Sequence, residues 1–368
     1  MKTFQELGIK KQIIQALYAL NIKEPLEVQE KIIPLALKGK NTVFTSQTGS
    51  GKTLAYSLGF LGKLDNKKDV QMLIIVPTRE LCMQVGRELI KLGSILDINV
   101  GMLYGGRDIK GDFKTTMKKN QILVGTPGRL IQHINDKKVR VGDVKYLVFD
   151  ESDQMFDNGF YDECAYIKER VSKNAQIILA SATLSNKVQN FIENEVRDYE
   201  LQQVGIQIPK NIKQNKIYCQ IIEKNIILLK LFSTNKYNKA IVFCNTKTKS
   251  YGIARFLTEN NIKTRSLNSD FEQRERDNNL NLFKDQSKII LVATDVAARG
   301  LHIEKVDIIV NYDVPTRPEF YIHRIGRTGR NDKEGNSLTL ICPEDEERFK
   351  KIETLYEIKC ETIDENSL

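Results

Sequence analysis

The sequence predicts an α/β protein of two tandem parallel-sheet domains joined by a short linker. Three observations lead there. Short β-rich apolar runs alternate with longer stretches of helical periodicity; the alternation breaks near residues 204–215 and then restarts; and 368 residues exceed what a single core usually organises. In the first half the candidate strands are 42–45, 72–76, 122–124, 146–149 and 177–180, with helical stretches such as 79–92 and 161–171 between them. After the break, candidate strands at 240–243, 289–293, 307–312 and 337–341 alternate with helices including 250–259 and 272–284. Gly205 and Pro209 interrupt the packing pattern among polar residues, so the expected division is 1–203, a linker at 204–215, and 216–368. A boundary at 184–190 is the alternative, but it strips the first sheet of a covering helix. An acidic ending, nine acids against four bases after Pro343, is expected to close the chain with a helix at 346–358.

Composition narrows the function. Hydrophobic residues make up 41% and charged residues 28%, which suits a packed core throughout and excludes a disordered chain. The formal charge of +9 raises the local concentration of a polyanion. No apolar run approaches the roughly 18 residues of a membrane span, and the first residues do not read as a signal peptide. A cytoplasmic monomer without membrane association is therefore expected. The six cysteines never form a C-x2-C pair and only three histidines are present, so buried thiols are expected in place of a zinc site or disulfides.

The strongest local feature is the run Ser46, Gln47, Thr48, Gly49, Ser50, Gly51, Lys52 and Thr53, after a candidate strand and before a helical stretch at 54–61. Glycines there let successive backbone N–H groups face phosphate oxygens, and the helix N-terminus adds its dipole. Lys52 is placed to reach the β and γ phosphates of ATP, and the Thr53 hydroxyl to ligate Mg2+. A second strand, 146–149, delivers Asp150, Glu151, Ser152 and Asp153 from its C-terminal end. Asp150 is suited to hold the magnesium, and Glu151 to orient and deprotonate the attacking water. In the second half, Arg324, Arg327 and Arg330 recur every three residues within 321–330, a spacing expected to set three guanidinium groups on one side of a helical segment facing phosphate. With acids and phosphate loop in one domain and arginines in the other, hydrolysis is expected to require domain closure.

These pieces, in this order, resemble the DEAD-box RNA helicases over residues 4–341. The ordered set comprises Gln29, the phosphate loop, Pro77 to Leu81, Gly105 and Gly106, Thr126 to Arg129, Asp150 to Asp153, Ser181 to Thr183, Thr294 through Gly300, and His323 to Arg330. The resemblance implies two RecA-like domains, use of ATP and Mg2+, and an RNA-stimulated ATPase that clamps and locally unwinds RNA or remodels RNA–protein complexes. It implies adenine recognition by Gln29, with Ile22 at the position where the family stacks an aromatic residue on the base. It assigns the RNA path to Pro77, Thr78, Arg79, Glu80, Gly105, Gly106, Thr126, Pro127, Gly128 and Arg129 in the first domain and to Asn245 and Thr294 in the second. Coupling between sites falls to Asp153, Ser181, Thr183, Gln273, Arg276, Arg299 and His323, and the arginine fingers are Arg327 and Arg330. Contacts of this kind imply little base specificity, and ribosomal RNA or pre-ribosomal particles are compatible substrates.

The departures from the family pattern are Ser46 and Ser152 for alanines, Asn268 and Ser269 for His-Gly, and His302 for an aspartate. Ser152 adds a hydroxyl that needs a partner. A catalytically weak RNA-binding clamp or ribosome-assembly factor is the alternative function, and a DNA helicase the third. His133 is expected to be an ordinary polar group, and Lys110, Lys114, Lys118 and Lys119 a solvated face.

Overall fold

The computed structural model describes residues 2–46, 49–65, 69–106, 108–204, 211–234, 236–268, 270–298, 306–329 and 334–365. The chain divides into two compact units, Met1–Gly205 and Ile206–Leu368. The expected linker is shortened by strand: its last residues, 212–215, belong to the second sheet, while 205–210 lie outside the described residues.

In the first unit seven strands, β1 (Asn41–Thr45), β2 (Met72–Ile75), β3 (Val100–Leu103), β4 (Ile122–Gly125), β5 (Tyr146–Phe149), β6 (Gln176–Ser181) and β7 (Tyr199–Gln203), form one parallel sheet in the order β3-β4-β2-β5-β6-β1-β7. Alternate residues of each inner strand go to opposite cores. Phe44, Met72, Ile74, Val124, Val148 and Ile178 pack on one face, while Val43, Leu73, Ile75, Leu123, Phe149 and Leu179 pack on the other. Burial on both faces is why these strands read as unbroken apolar runs.

The helices start where local chemistry dictates. α1 (Lys11–Ala19) and α2 (Glu27–Leu37) precede the sheet, and α3 (Lys52–Leu61) leaves the phosphate loop with all ten residues buried. α4 (Arg79–Leu96) begins after Thr78, whose hydroxyl accepts from Leu81 N at 3.2 Å, with Glu80 in the first turn beside the positive end of the dipole. Pro127 opens the helix Pro127–Asn135 at a position that lacks a partner for a backbone N–H in any case.

The second unit repeats the plan. Strands β8 (Ile212–Tyr218), β9 (Lys239–Cys244), β10 (Thr264–Leu267), β11 (Ile289–Thr294), β12 (Ile308–Asn311), β13 (Gly335–Ile341) and β14 (Glu361–Thr362) form a parallel sheet in the order β10-β11-β9-β12-β13-β8-β14. Its inner strands again divide by face, Val242, Val292 and Val310 in one cluster and Ile241, Leu291 and Ile309 in another, and a third cluster gathers around Tyr321 and Phe349. The closing helix spans Glu346–Leu355. No helix among the described residues is long and apolar enough to cross a membrane. Five cysteines are buried and Cys360 is half-buried, all as free thiols.

Candidate functional site

In a parallel sheet the loops leaving the C-terminal ends of the strands share one edge, which is where ligands of such folds bind. Here β1, β5 and β6 are neighbours, so that edge brings together the phosphate loop, the Asp150 turn and the Ser181 turn. Ser46 N donates to Ser181 O at 2.9 Å, joining the first and last of these.

Lys52 is buried and its Nζ donates to Ser46 O at 3.0 Å, folding the ammonium back over the loop. Ser50 Oγ donates to Ser46 Oγ at 3.1 Å. Gly51, the N-cap of α3, has φ +89, a left-handed conformation, and no side chain caps that helix. A Cβ on Gly51 would also lie 2.6 Å from Gln29 Nε2, so the residue is confined to glycine twice over. Gln47 and Thr48 lie outside the described residues.

Gln29 stands against this loop. It is buried, its Oε1 accepts from Leu26 N at 3.0 Å and its Nε2 donates to Gly51 O at 3.2 Å. An amide has two donors and two acceptor lone pairs, so these two bonds leave one of each for an adenine edge. Ile22 packs against the first core.

Asp150 and Glu151 follow β5. Asp150 is 3% exposed; its Oδ1 accepts from Glu151 N at 2.9 Å and its Oδ2 from the Tyr56 hydroxyl at 3.0 Å. Burial pushes this carboxyl up, and the Lys52 charge, the Tyr56 hydroxyl and the Glu151 amide pull against burial without cancelling it. Glu151 has φ +50, left-handed backbone held by the tight turn into the helix Ser152–Asp157. The Ser152 hydroxyl has the partner it needs, donating to Ala180 O at 3.2 Å on β6. Asp153 N donates to Ser181 Oγ at 3.3 Å, Thr183 Oγ1 donates to Asp153 Oδ2 at 3.2 Å, and Ser181 Oγ donates to Thr183 O at 2.7 Å. The acidic turn and the Ser181 turn are thus one hydrogen-bonded set.

Mg2+ prefers hard oxygen donors and is usually held by one or two carboxylates together with substrate phosphates. Thr53 and Asp150 offer such oxygens beside the loop. Among the described residues, no group of three or more His, Cys, Asp or Glu could hold a metal on protein ligands alone, so the donor set fits a magnesium that arrives with phosphates.

Two residues behind this set were missed in the sequence. Tyr56, on α3, is fully buried, and its phenol is pushed well above the usual range by burial, then by Asp150 and Glu88. Glu88, on α4, is half-buried; burial raises its carboxyl, the nearby Thr53 hydroxyl lowers it, and the charge of Asp150 raises it again. A signal was present, because Glu88 falls within the helical stripe of buried Leu81, Val85 and Leu92, where an acid is out of place without a partner.

Beyond the nucleotide edge, β2, β3 and β4 end in the other expected loops. The Arg79 guanidinium lies 5.2 Å from the Tyr104 ring centroid. Arg129 Nε donates to Tyr104 O at 3.2 Å and lies 3.3 Å from Asp112 Oδ2. His133 Nε2 is 2.9 Å from the same Asp112 oxygen. His133 is 1% exposed and shares this buried acid with Arg129, a structural polar contact. Pro77 is buried, Gly106 has φ +79, and Thr126 occupies the N-cap before Pro127 with no side-chain cap bond. A Cβ on Gly105 or Gly128 would meet nothing within 4 Å, so packing inside the protein does not require glycine at either position.

The second unit corrects one expectation. Arg324 and Arg327 do not share one helix, because the helix Pro318–Ile325 ends with Gly326 as its C-cap. Arg324 turns inward, with 1% of its side chain exposed. Its Nε and Nη2 donate to the two Asp295 oxygens at 2.7 Å each, Nη1 to Asp313 O at 2.7 Å and Asn311 Oδ1 at 3.2 Å, and Nη2 to Asn245 Oδ1 at 3.0 Å. Asn245 is committed to this same network, its Nδ2 donating to Val314 O at 2.9 Å and its backbone N to Asp313 Oδ2 at 3.0 Å. Burial raises Asp313, but the Asn245 amide and the Lys249 and Lys224 ammonium groups outweigh it and hold the carboxyl low.

Thr294 ends β11, Arg327 is buried, His323 is half-buried, and Arg276 Nη2 donates to Ala297 O at 3.3 Å. Arg299, His302, Ser269, Arg330 and the side chain of Gln273 lie outside the described residues.

Comparison with known proteins gives the same order of parts. Residues 26–191 match the DEAD/DEAH box helicase family, and residues 223–332 match the helicase conserved C-terminal domain. The chain is 35% identical to the DEAD-box ATP-dependent RNA helicase RhpA of Helicobacter pylori, over all of this chain and 76% of that protein. It is 36% identical to the DEAD-box ATP-dependent RNA helicase CshA of Bacillus cereus, over all of this chain and 71% of that one. Among solved structures it resembles S. cerevisiae Dbp5 bound to RNA and ADP BeF3, with a TM-score of 0.88, 27% identity, and coverage of 100% of this chain and 97% of that one. Mss116p bound to ssRNA and AMP-PNP is similar at a TM-score of 0.84 and 27% identity, covering 99% and 80%.

Proposed function

The chain belongs to the DEAD-box ATP-dependent RNA helicases, enzymes that couple ATP use to RNA binding and unwinding, and from that premise we propose how its residues divide the work. The first unit takes ATP with its phosphates against Ser46 to Thr53, Lys52 reaching the β and γ groups and Gln29 reading the adenine edge. Thr53 and Asp150 hold Mg2+, which when bound neutralises charge on the phosphate oxygens. Glu151 takes the proton of the attacking water, and Arg327 and Arg330 stabilise charge that develops on the phosphoryl group. Asp153, Ser181 and Thr183 transmit occupancy of the nucleotide loop to the neighbouring RNA loops, and Gln273, Arg276, Arg299 and His323 serve that coupling in the second unit.

RNA runs against Pro77 to Glu80, Gly105, Gly106 and Thr126 to Arg129, and against Thr294 in the second unit. The open space beside Gly105 and Gly128 supports a close backbone approach there. Asn245 acts by holding Arg324 and the Val314 carbonyl in register. The observation that carries the catalytic part is the continuous set of bonds from Lys52 through Ser46 and Ser181 to Asp153, which ties the phosphate loop to the acidic turn. The working place is the cytoplasm, as a monomer, on RNA recognised by shape, with ribosomal RNA and pre-ribosomal particles the substrates to test first.

The direct test is steady-state ATP hydrolysis without nucleic acid, with single-stranded RNA and with matched DNA. RNA is expected to stimulate turnover and DNA much less; equal stimulation by both would remove the RNA-selective reading. Base choice has its own test. Gln29→Glu keeps the acceptor for Leu26 N and loses the amide donor, so the preference for ATP over GTP in competition should fall by about tenfold, the worth of one directed hydrogen bond. An unchanged preference would take adenine recognition away from Gln29.

A further inference from the structure

Beneath the phosphate loop lies a polar side chain that the division of work above leaves without a task. Tyr56 sits on α3 one turn after Thr53. It is fully buried, and its hydroxyl donates to Asp150 Oδ2 at 3.0 Å.

Packing alone does not account for it. The surrounding side chains Leu58, Leu81, Val85 and Leu89 are all buried. Phe would fill such space without burying a hydroxyl, and buried polar groups cost free energy unless paired. The Tyr56 hydroxyl is paired, and with a residue whose carboxylate would face the metal.

We propose that Tyr56 is a positioning residue for magnesium: its hydroxyl fixes the rotamer of the Asp150 carboxylate. The inference rests on Thr53 and Asp150 being the magnesium ligands. Outer partners of this kind orient ligands, and their loss typically lowers metal affinity by about 10- to 100-fold while leaving the fold in place.

The test is binding of fluorescently labelled ADP to the full chain in EDTA and across a Mg2+ series, for wild type, Tyr56→Phe and, as reference, Asp150→Asn. Tyr56→Phe removes one oxygen and keeps the ring, so urea midpoints should confirm that the variant folds. The expected result is unchanged affinity in EDTA and a rise of about tenfold in the Mg2+ needed for half of the magnesium-dependent gain. A parallel titration with Mn2+, read by the loss of its free electron-spin resonance signal, should show the same shift. Equal weakening with and without metal would make Tyr56 a packing element and overturn the proposal, as would an unchanged magnesium dependence. If the reference Asp150→Asn itself leaves the magnesium dependence untouched, the ligand reading fails and takes this inference with it.

Discussion

Arg324→Ala is expected to lower the stability of the second unit by about 3–5 kcal/mol, the usual cost of removing one partner from a buried ion pair. The Asp295 carboxylate would lose both of its 2.7 Å donors, and Asn245, Asn311 and the Asp313 carbonyl would each lose one. Asn311 and Asp313 are buried and cannot turn to water, while Asp295 and Asn245 are half-buried. Arg324→Lys should rescue little, since an ammonium is a single point of charge and cannot bridge the five acceptor oxygens that the guanidinium reaches. The chain has no tryptophan, so urea unfolding is followed by circular dichroism. With a slope of about 2 kcal/mol per molar, the transition of the second unit should move down by about 2 M urea while that of the first unit stays. A shift below about 0.5 M would mean that the network relaxes around the gap and is not what holds this unit together.

The second large effect is chemical. Glu151→Gln should reduce RNA-stimulated turnover by about 10²- to 10⁴-fold, the span expected when a general base is lost. Affinity for ATP and for RNA should stay close to wild type. The substitution keeps the left-handed turn and leaves in place the backbone N–H that holds Asp150 Oδ1, so the magnesium ligand is undisturbed. Single-turnover hydrolysis with RNA present separates this from a binding defect. Retained turnover would move the base to another group and return Glu151 to a role in shaping the turn.

Much of this was legible because chemistry and fold share one signal. A strand buried on both faces is apolar throughout, so β1, β2, β5, β6, β9 and β11 stood out, and the residues immediately after them carried the site. The strands that escaped are β3, β7, β8, β10 and β14, and two of them show a physical reason. β7 (YELQQ) lies at an edge with most of its residues exposed, and β8 (IKQNKIY) buries only Ile212 and Ile217 well, so neither has an apolar run to find. The arginine stripe failed because periodicity carries direction only while the helix lasts, and Gly326 ends it after Arg324. Asp112 could not be paired with Arg129 and His133 from sequence, since nothing local says that a short turn packs on a helix some 20 residues later. Tyr56 was hidden by ambiguity: a phenol in an apolar helix reads as core until the oxygen it faces is known.

The placement of β1 carries a consequence for how the chain comes into being. Both of its neighbours, β6 and β7, are encoded far downstream, and the bond from Ile177 N to the Asn41 side chain spans 136 residues. At about 5–20 residues per second of synthesis, β6 leaves the ribosome roughly 7–27 s after β1. Over that interval Val43 and Phe44 have no sheet to enter, and Ser46 lacks the Ser181 carbonyl that anchors the phosphate loop. The first unit is therefore completed last on the β1 side of its sheet, and nucleotide cannot serve as a template for the growing chain: the pocket it would fill does not exist until nearly all of the unit has been made.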